Sequence, residues 1–524
     1  MRQASILAGA SLFVRLLGFA YRLPLTNLIG DEGNAYYIAA YNVYTFALII
    51  SSGALITAIS RLTSERIAKG QYRNAHQLFK TAMGFAMTMG LSASIAMFLG
   101  ADFIAQQLGT PEMVHAIRSL APAVFVVSML AVFRGYFQGM KTSMPTALSQ
   151  VVEQIFKVAF SVWLAFLFYD AATGDVEFAA AGAAAGTVIS VLSALGVVAL
   201  LYSLIAKDLR RRAMLDFRVK NFESRFFQIR AIIRTAFPMI IGVGLVSLGN
   251  FLDQRMAIDR IYASWAFLEE EITALFGQFT GKFILLTTLP VSLSMALSAA
   301  VIPEITSSKV TLDEKAVRNK TNMAMRLSMI ISIPAAVGLS VLADPIVALL
   351  FPSHPEGGWL LRFGAVSIVF LAMTQILTGV LQGIGHVGIP VVGIFFGLAA
   401  KIPVNYFLMA IPSINILGAV ISTIVCFAIA GGLNMFFMHR FTGILPDVGS
   451  MFVKPIIASA GMGLVCFAIY YVVALYTPYS IATITALFCG GIAYLVLMFL
   501  IKGFKQSDLE AMPLPGRVRR WMRG

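Results

Sequence analysis

Residues 178–205 read FAAAGAAAGTVISVLSALGVVALLYSLI, a run with no charged side chain, and Lys207, Arg210, Arg211 and Arg212 follow at once. A helix needs about 20 apolar residues to cross ~30 Å of hydrocarbon at ~1.5 Å per residue, so this stretch is a membrane span that ends on a basic loop. Working outward, similar runs recur near 4–28, 35–60, 80–101, 117–139, 147–169, 232–255, 273–303, 326–350, 361–384, 387–410, 414–438, 452–475 and 480–501. The predicted fold class is therefore an all-α integral membrane protein with fourteen transmembrane helices. The first run is read as a retained span, because Arg15 and Arg22 interrupt it and no small-residue cleavage site precedes Gly30.

Composition agrees. The 524 residues are 59% hydrophobic and 12% charged, where soluble chains carry about a quarter charged residues. Cys426, Cys466 and Cys489 lie inside apolar runs, and His76, His115, His354, His386 and His439 are too scattered for a metal pair. No cofactor is expected, and neither is a metalloenzyme. The chain also lacks a G-x-x-x-x-G-K-[ST] loop, so ATP hydrolysis is not expected.

Charge fixes an orientation. With the N-terminus inside, inner segments and their flanks hold 30 of the 39 Lys and Arg residues, and the outer loops hold Arg118, Arg260 and Arg362. Cytoplasmic loops are enriched in Lys and Arg, so both termini are expected in the cytoplasm. The net charge of +14 is then a topology signal and implies no nucleic-acid partner. The longest inner loop carries Lys207, Arg218, Lys220, Arg225 and Arg230 and can meet anionic head groups as well as orient the chain.

An internal repeat is also present. Gln138, Gly139 and Lys157 recur as Gln382, Gly383 and Lys401 at an offset of 244, and Asp102, Ile104 and Leu108 recur as Asp344, Ile346 and Leu350 at 242. Spans 1–6 and 7–12 are read as copies with a cleft for substrate between them. The expected division is 1–205, a basic linker 206–231, 232–440, an appended span pair within 441–501, and a basic tail 502–524.

Eight charges remain inside the spans: Arg15, Arg22, Glu153, Lys157, Asp253, Arg255, Lys282 and Lys401. Each costs at least ~2.5–3.5 kcal/mol to insert, so each is expected to face a cavity or a partner. Arg15 and Arg22 stand two turns apart on one helix face. Glu153 and Lys157 have i, i+4 spacing, which suits a structural salt bridge as well as a functional pair. Asp253 and Arg255 point to different sides of their helix, and a lone carboxylate there can bind Na+ or relay H+. Lys282 lies near a span end, where snorkelling and cavity lining are equally open. Six cations against two carboxylates call for an anionic ligand, and the fork of Arg suits phosphate. The residues alone thus point to a transporter of a phosphate-bearing anion.

The stretch from Arg15-Leu16-Leu17-Gly18-Phe19 to Arg22-Leu23-Pro24, with Ser51-Ser52-Gly53-Ala54 to Arg61, and the run from Arg134-Gly135-Tyr136-Phe137-Gln138-Gly139 through Met144-Pro145 to Glu153-Gln154, resembles the polysaccharide-transporter family. This family includes MurJ-like lipid II flippases and stage V sporulation protein B-like proteins. The resemblance covers the whole chain and implies a two-lobed, MATE-like fold that moves undecaprenyl-pyrophosphate-linked sugars, with membrane lipids and cell-wall synthesis proteins as neighbours. It implies substrate contacts at Arg15, Arg22 and Arg61, and Arg255 among the charges inside the spans is expected to support them. The span 8 arginine of the family is absent, Leu285 standing in its place, and Lys282 is expected to substitute for it. Two rival classes differ in charge. A drug/cation antiporter wants an acidic cavity, and a membrane glycosyltransferase wants catalytic carboxylates on large loops.

Overall fold

The structure is a computed structural model that describes residues 10, 13–52, 54–169, 175–214, 223–264, 266–310, 313–386, 388–444 and 447–504. Side chains at 210, 212–213, 238–239, 242–243, 246, 296–304, 306–307 and 310 are not among those described. The basic tail beyond 504, Arg218 and Lys220 of the linker, and most of the first span before residue 13 lie outside the described residues.

Helix α1 (13–20) passes through a turn at Tyr21 into α2 (Arg22–Ser51). Inside α2 the backbone of Gly30 takes φ 70° and ψ −174°, a region open essentially to glycine alone. The chain therefore changes direction at Gly30, and Tyr21 before the turn meets Tyr37 after it. Turns at Ser52 and Ala54 lead into α3 (Leu55–Ala68). There follow α4 (Tyr72–Leu99), α5 (Ala101–Leu108), α6 (Val114–Gly139), α7 (Met144–Phe168), α8 (Glu177–Met214), α9 (Arg225–Tyr262) and α10 (Glu269–Gln278). A π-helical turn at Phe279–Phe283 then opens α11 (Ile284–Val310). The remaining helices are α12 (Glu314–Val341), α13 (Ala343–Leu350), α14 (Gly358–Gly364), α15 (Ser367–Gly383), α16 (Ile389–Leu408), α17 (Leu417–Thr442), α18 (Lys454–Ala474) and α19 (Tyr479–Leu500).

Local chemistry sets several of these boundaries. Pro145, Pro390 and Pro455 stand in the first turns of α7, α16 and α18, where a missing N–H is harmless. The Asp313 carboxylate caps α12 by accepting from the Ala316 amide at 2.9 Å.

Eleven helices among the described residues are long and apolar enough to cross a membrane, or twelve counting α14 and α15, bent by 57°, as one span. This measure does not reach the expected fourteen. Arg22–Ala68 counts as one candidate because the chain turns at Gly30 and again at Ser52 and Ala54 without leaving helix for long. The expected seventh span lies in α9, where the side chains at 238–239, 242–243 and 246 are not among those described.

The chain forms two compact units, Met1–Tyr262 with Phe267–Gly277, and Ala263–Ala266 with Gln278–Gly524. The sequence copies divide in the 206–231 linker, whereas α9 packs on α2, α3 and α4 in the first unit. Duplication and packing thus draw their boundaries at different points. Inside the first unit α7 packs on α8, α6 on α8 and α4, and α3 on α6. Inside the second, α16 packs on α17, α15 on α17 and α12, and α11 on α15, which is the same scheme in the corresponding helices.

Small residues make the tightest of these contacts. A Cβ on Gly186 of α8 would lie 2.4 Å from the Ser161 amide nitrogen of α7, so only glycine lets the two backbones approach this far. In the second unit the close approach is made from α16, where a Cβ on Gly397 would lie 2.5 Å from the Cys426 carbonyl of α17. The appended helices α18 and α19 pair with each other, and the Tyr494 hydroxyl of α19 donates to the Ile330 carbonyl of α12 at 2.8 Å. Their other faces expose Leu464, Phe467, Tyr471, Phe488 and Leu495, as lipid-facing helices should.

Candidate functional site

The first unit holds a cluster of cations and tyrosines. After the Gly30 turn, Tyr37, Tyr41 and Tyr44 occupy i, i+4 and i+7 positions of α2 and share one face. Tyr37 and Tyr41 stack at 5.9 Å between ring centroids, and Tyr41 meets Tyr44 at 5.3 Å. From the other side of the turn the Tyr21 hydroxyl comes to 3.1 Å of the Tyr37 hydroxyl. Arg22, half-buried, lies against Tyr21 and within the field of Tyr37 and Tyr41.

Lys157 enters this cluster from α7. Its ammonium donates to the Tyr41 hydroxyl at 3.2 Å and stands 4.4 Å from the Tyr41 ring centroid and 5.6 Å from that of Tyr21. The residue is 8% exposed. Neither Lys157 nor Arg22 has a carboxylate within ion-pairing distance among the described residues. Burying an unpaired ammonium is costly, and ring quadrupoles and one hydroxyl return only part of the lost hydration. The arrangement thus concentrates positive charge in a place that an anionic group can neutralise.

The expected i, i+4 pair of Glu153 and Lys157 does not form. Glu153 accepts instead from Arg134 Nη2 of α6 at 2.7 Å, and Arg134 Nε donates to Ser149 Oγ at 2.9 Å. The cause is geometric. Arg134 reaches the carboxylate from a neighbouring helix, which leaves Lys157 to the tyrosines.

The other predicted residues are dispersed. Arg15 is exposed on α1, and Arg61 is exposed in the middle of α3. One turn beyond Arg61, Arg66 is buried and holds Glu223 through Nε at 3.0 Å, while Gln77 donates to the Glu223 carbonyl at 3.1 Å. Asp253 is buried in α9. Arg255 pairs with Asp259 one turn on at 2.8 Å, both partly exposed, so its charge is already answered.

Lys282 is corrected most plainly. It is fully buried in the π-helical turn, donates to the carbonyls of His354 at 2.7 Å and Glu356 at 2.9 Å, and lies under the Phe351 ring. It holds the 351–357 loop and offers nothing to a substrate in this arrangement. Lys401 of α16, the repeat counterpart of Lys157, is likewise buried.

Sequence reasoning missed the tyrosines and Arg134. The i, i+4, i+7 spacing of Tyr37, Tyr41 and Tyr44 was the available signal for the first, whereas nothing local announces the reach of Arg134 across helices. Among the described residues no group of three or more His, Cys, Asp or Glu side chains is placed to hold a metal ion.

The sequence model described as "Polysaccharide biosynthesis protein" matches residues 1–309, and one described as "MatE" matches residues 277–407. The chain is 27% identical to the "Lipid II flippase MurJ" of Bacillus subtilis (strain 168) over 551 aligned residues, covering 99% of this chain and 98% of that one. It is 24% identical to "Stage V sporulation protein B" of the same organism, covering 98% and 97%. Among solved structures it is similar to "Lipid II flippase MurJ, inward closed conformation", with a TM-score of 0.68 at 15% identity over 94% of this chain and 97% of that one.

Proposed function

The chain belongs to the polysaccharide biosynthesis protein family, and on that premise we propose that it is a flippase for an undecaprenyl-pyrophosphate-linked sugar, in the first place lipid II. It is a multi-span helical membrane transporter and not an enzyme. In this reading the cargo passes from the inner to the outer leaflet of a bacterial cytoplasmic membrane by alternating access, with both termini in the cytoplasm, as the loop charges require.

One observation carries the reading. Arg22 and Lys157 are held together among tyrosines with no carboxylate in ion-pairing distance among the described residues, which is the electrostatics of a site for a doubly charged pyrophosphate. A cation antiporter would need the opposite sign there. Arg15, exposed on α1 just before the turn at Tyr21, supplies a further basic contact in this reading. The near full-length likeness to a lipid II flippase supports lipid II. The likeness to a sporulation protein over almost the same length favours, as a second reading, a different repeat unit on the same lipid carrier.

The test is complementation. A strain depleted of its own lipid II flippase is expected to grow when it expresses this chain and to lyse when it expresses the Lys157→Gln variant at equal level. Absence of rescue by correctly inserted wild-type chain overturns the lipid II assignment.

A further inference from the structure

We propose that the first unit holds a resident anionic phospholipid, separate from the cargo, in the groove between α4 and α9. The groove opens into a cavity of about 1230 Å3, whose walls come from α4, the end of α8 and the start of α9. Sites for drug-sized ligands have about 300–1000 Å3, so this one has room for a head group and the chain that follows it.

The two ends of the groove differ in chemistry. At one end stand Arg73 and Lys80 of α4 and Arg225 at the first position of α9, all exposed. No carboxylate lines the cavity among the described residues. The nearby Glu223 is engaged by Arg66 and accepts from Gln228. His76, also on the wall, adds a polar ring between the cations and the buried side of α4.

Toward the membrane interior the wall turns apolar through Phe85, Met89 and Ile229, and Phe85 and Met89 also line a second, smaller cavity of about 230 Å3. That second cavity runs on along Leu55 of α3 and Ile233, Phe237 and Ile240 of α9. Phosphate-binding charge at one end and a continuous apolar trough at the other match one molecule, a phosphodiester head group with an acyl chain. Basic pockets between helices on the cytoplasmic side are suited to this class of ligand, and the charge bias of the loops puts this end on that side.

Gly84 lies on the α4 wall of the groove, and a Cβ added there meets nothing within 4 Å. The surface is open at the point where a chain has to pass. A free phosphate uses the cations alone, while a zwitterionic lipid uses the trough without the full charge. Only an anionic lipid uses both.

The experiment is native mass spectrometry of the full chain released from micelles that contain phosphatidylglycerol and phosphatidylcholine in equal amounts. Wild type is expected to retain phosphatidylglycerol selectively. The double variant Lys80→Gln with Arg225→Gln is expected to lose that preference by roughly fivefold per charge removed, from ~1 kcal/mol for each cation near the surface. Gly84→Phe is expected to lower retention of both lipids by filling the trough with all charges in place. Millimolar inorganic phosphate is expected to leave retention unchanged. Equal retention of both lipids by wild type, full retention in the double variant or in Gly84→Phe, or displacement by phosphate each overturns the proposal. The assay reads no transport, and Lys157→Gln is expected to keep its lipid, so failure here is distinct from failure of the flippase reading.

Discussion

Asp102 accepts from Arg118 at 2.6 Å, which joins α5 to α6 in the first unit, and Asp344 and Arg362 join α13 to α14 in the second. The aspartates are 242 positions apart and the arginines 244. Matching ion pairs in corresponding helices support the duplication independently of the shared helix-packing scheme.

Both pairs are exposed, with side-chain exposures of 38% and 56% in the first. Such pairs contribute about 0–1 kcal/mol, so Arg118→Ala is expected to change stability by less than ~1 kcal/mol. Thermal unfolding in detergent measures this, and a larger loss means that the pair does more than join two helix ends.

Lys157→Gln is expected to abolish transport at wild-type protein level, and Lys157→Arg to restore it only in part, because a planar, delocalised guanidinium does not reproduce the compact ammonium contact with the Tyr41 hydroxyl and ring. Tyr41→Phe removes one hydroxyl acceptor and leaves the ring face, so its effect on flipping is expected to be about fivefold, from the ~1 kcal/mol of a single hydrogen bond. The readout is flipping of labelled lipid in proteoliposomes. Arg15→Ala is expected to reduce flipping with unchanged folding, with Arg15→Lys recovering only part because the planar fork is lost.

Arg134→Gln leaves Glu153 without its cation in a partly dry setting, where side-chain exposures are 10% for Arg134 and 28% for Glu153. The expected destabilisation is about 2–3 kcal/mol, below the range for fully buried pairs because water still reaches the carboxylate. Adding Glu153→Gln is expected to recover a substantial part of that loss. A double-mutant cycle from denaturation midpoints tests this, and strict additivity of the two losses rejects the pairing as an energetic unit.

The membrane potential is expected to drive the cycle, since each elementary charge moved through 100 mV is worth ~2.3 kcal/mol. Asp253→Asn should then retain potential-dependent flipping. If that variant is inactive, and wild type follows a sodium or pH gradient with the potential held at zero, an ion carried at Asp253 replaces this scheme.

The membrane class and the position of most spans were legible in the sequence because each rests on local composition or spacing. The site was legible in its charges and less so in its contacts. Glu153 and Lys157 satisfied a spacing rule that treats one helix alone, and a second helix carrying Arg134 decided the outcome. Lys282 was read as a cation near a span end, but its fate depended on a π-helical turn and on two carbonyls more than 70 residues away. The division into packed units escaped for a related reason. Repeats record the order of segments, whereas α9 packs by the shape of its neighbours.

Gly30 carries a consequence of a different kind. Its φ of 70° and ψ of −174° are the mirror image of the polyproline II conformation that ordinary residues adopt easily. The requirement on the backbone at this position is therefore one of handedness. A D-alanine placed there by semisynthesis should find its preferred geometry, whereas L-alanine has to leave its own. The cluster of Tyr21 with Tyr37 and Lys157 depends on that turn, so this whole group of cation and tyrosines rests on a position where the achiral residue does the work of a D-amino acid.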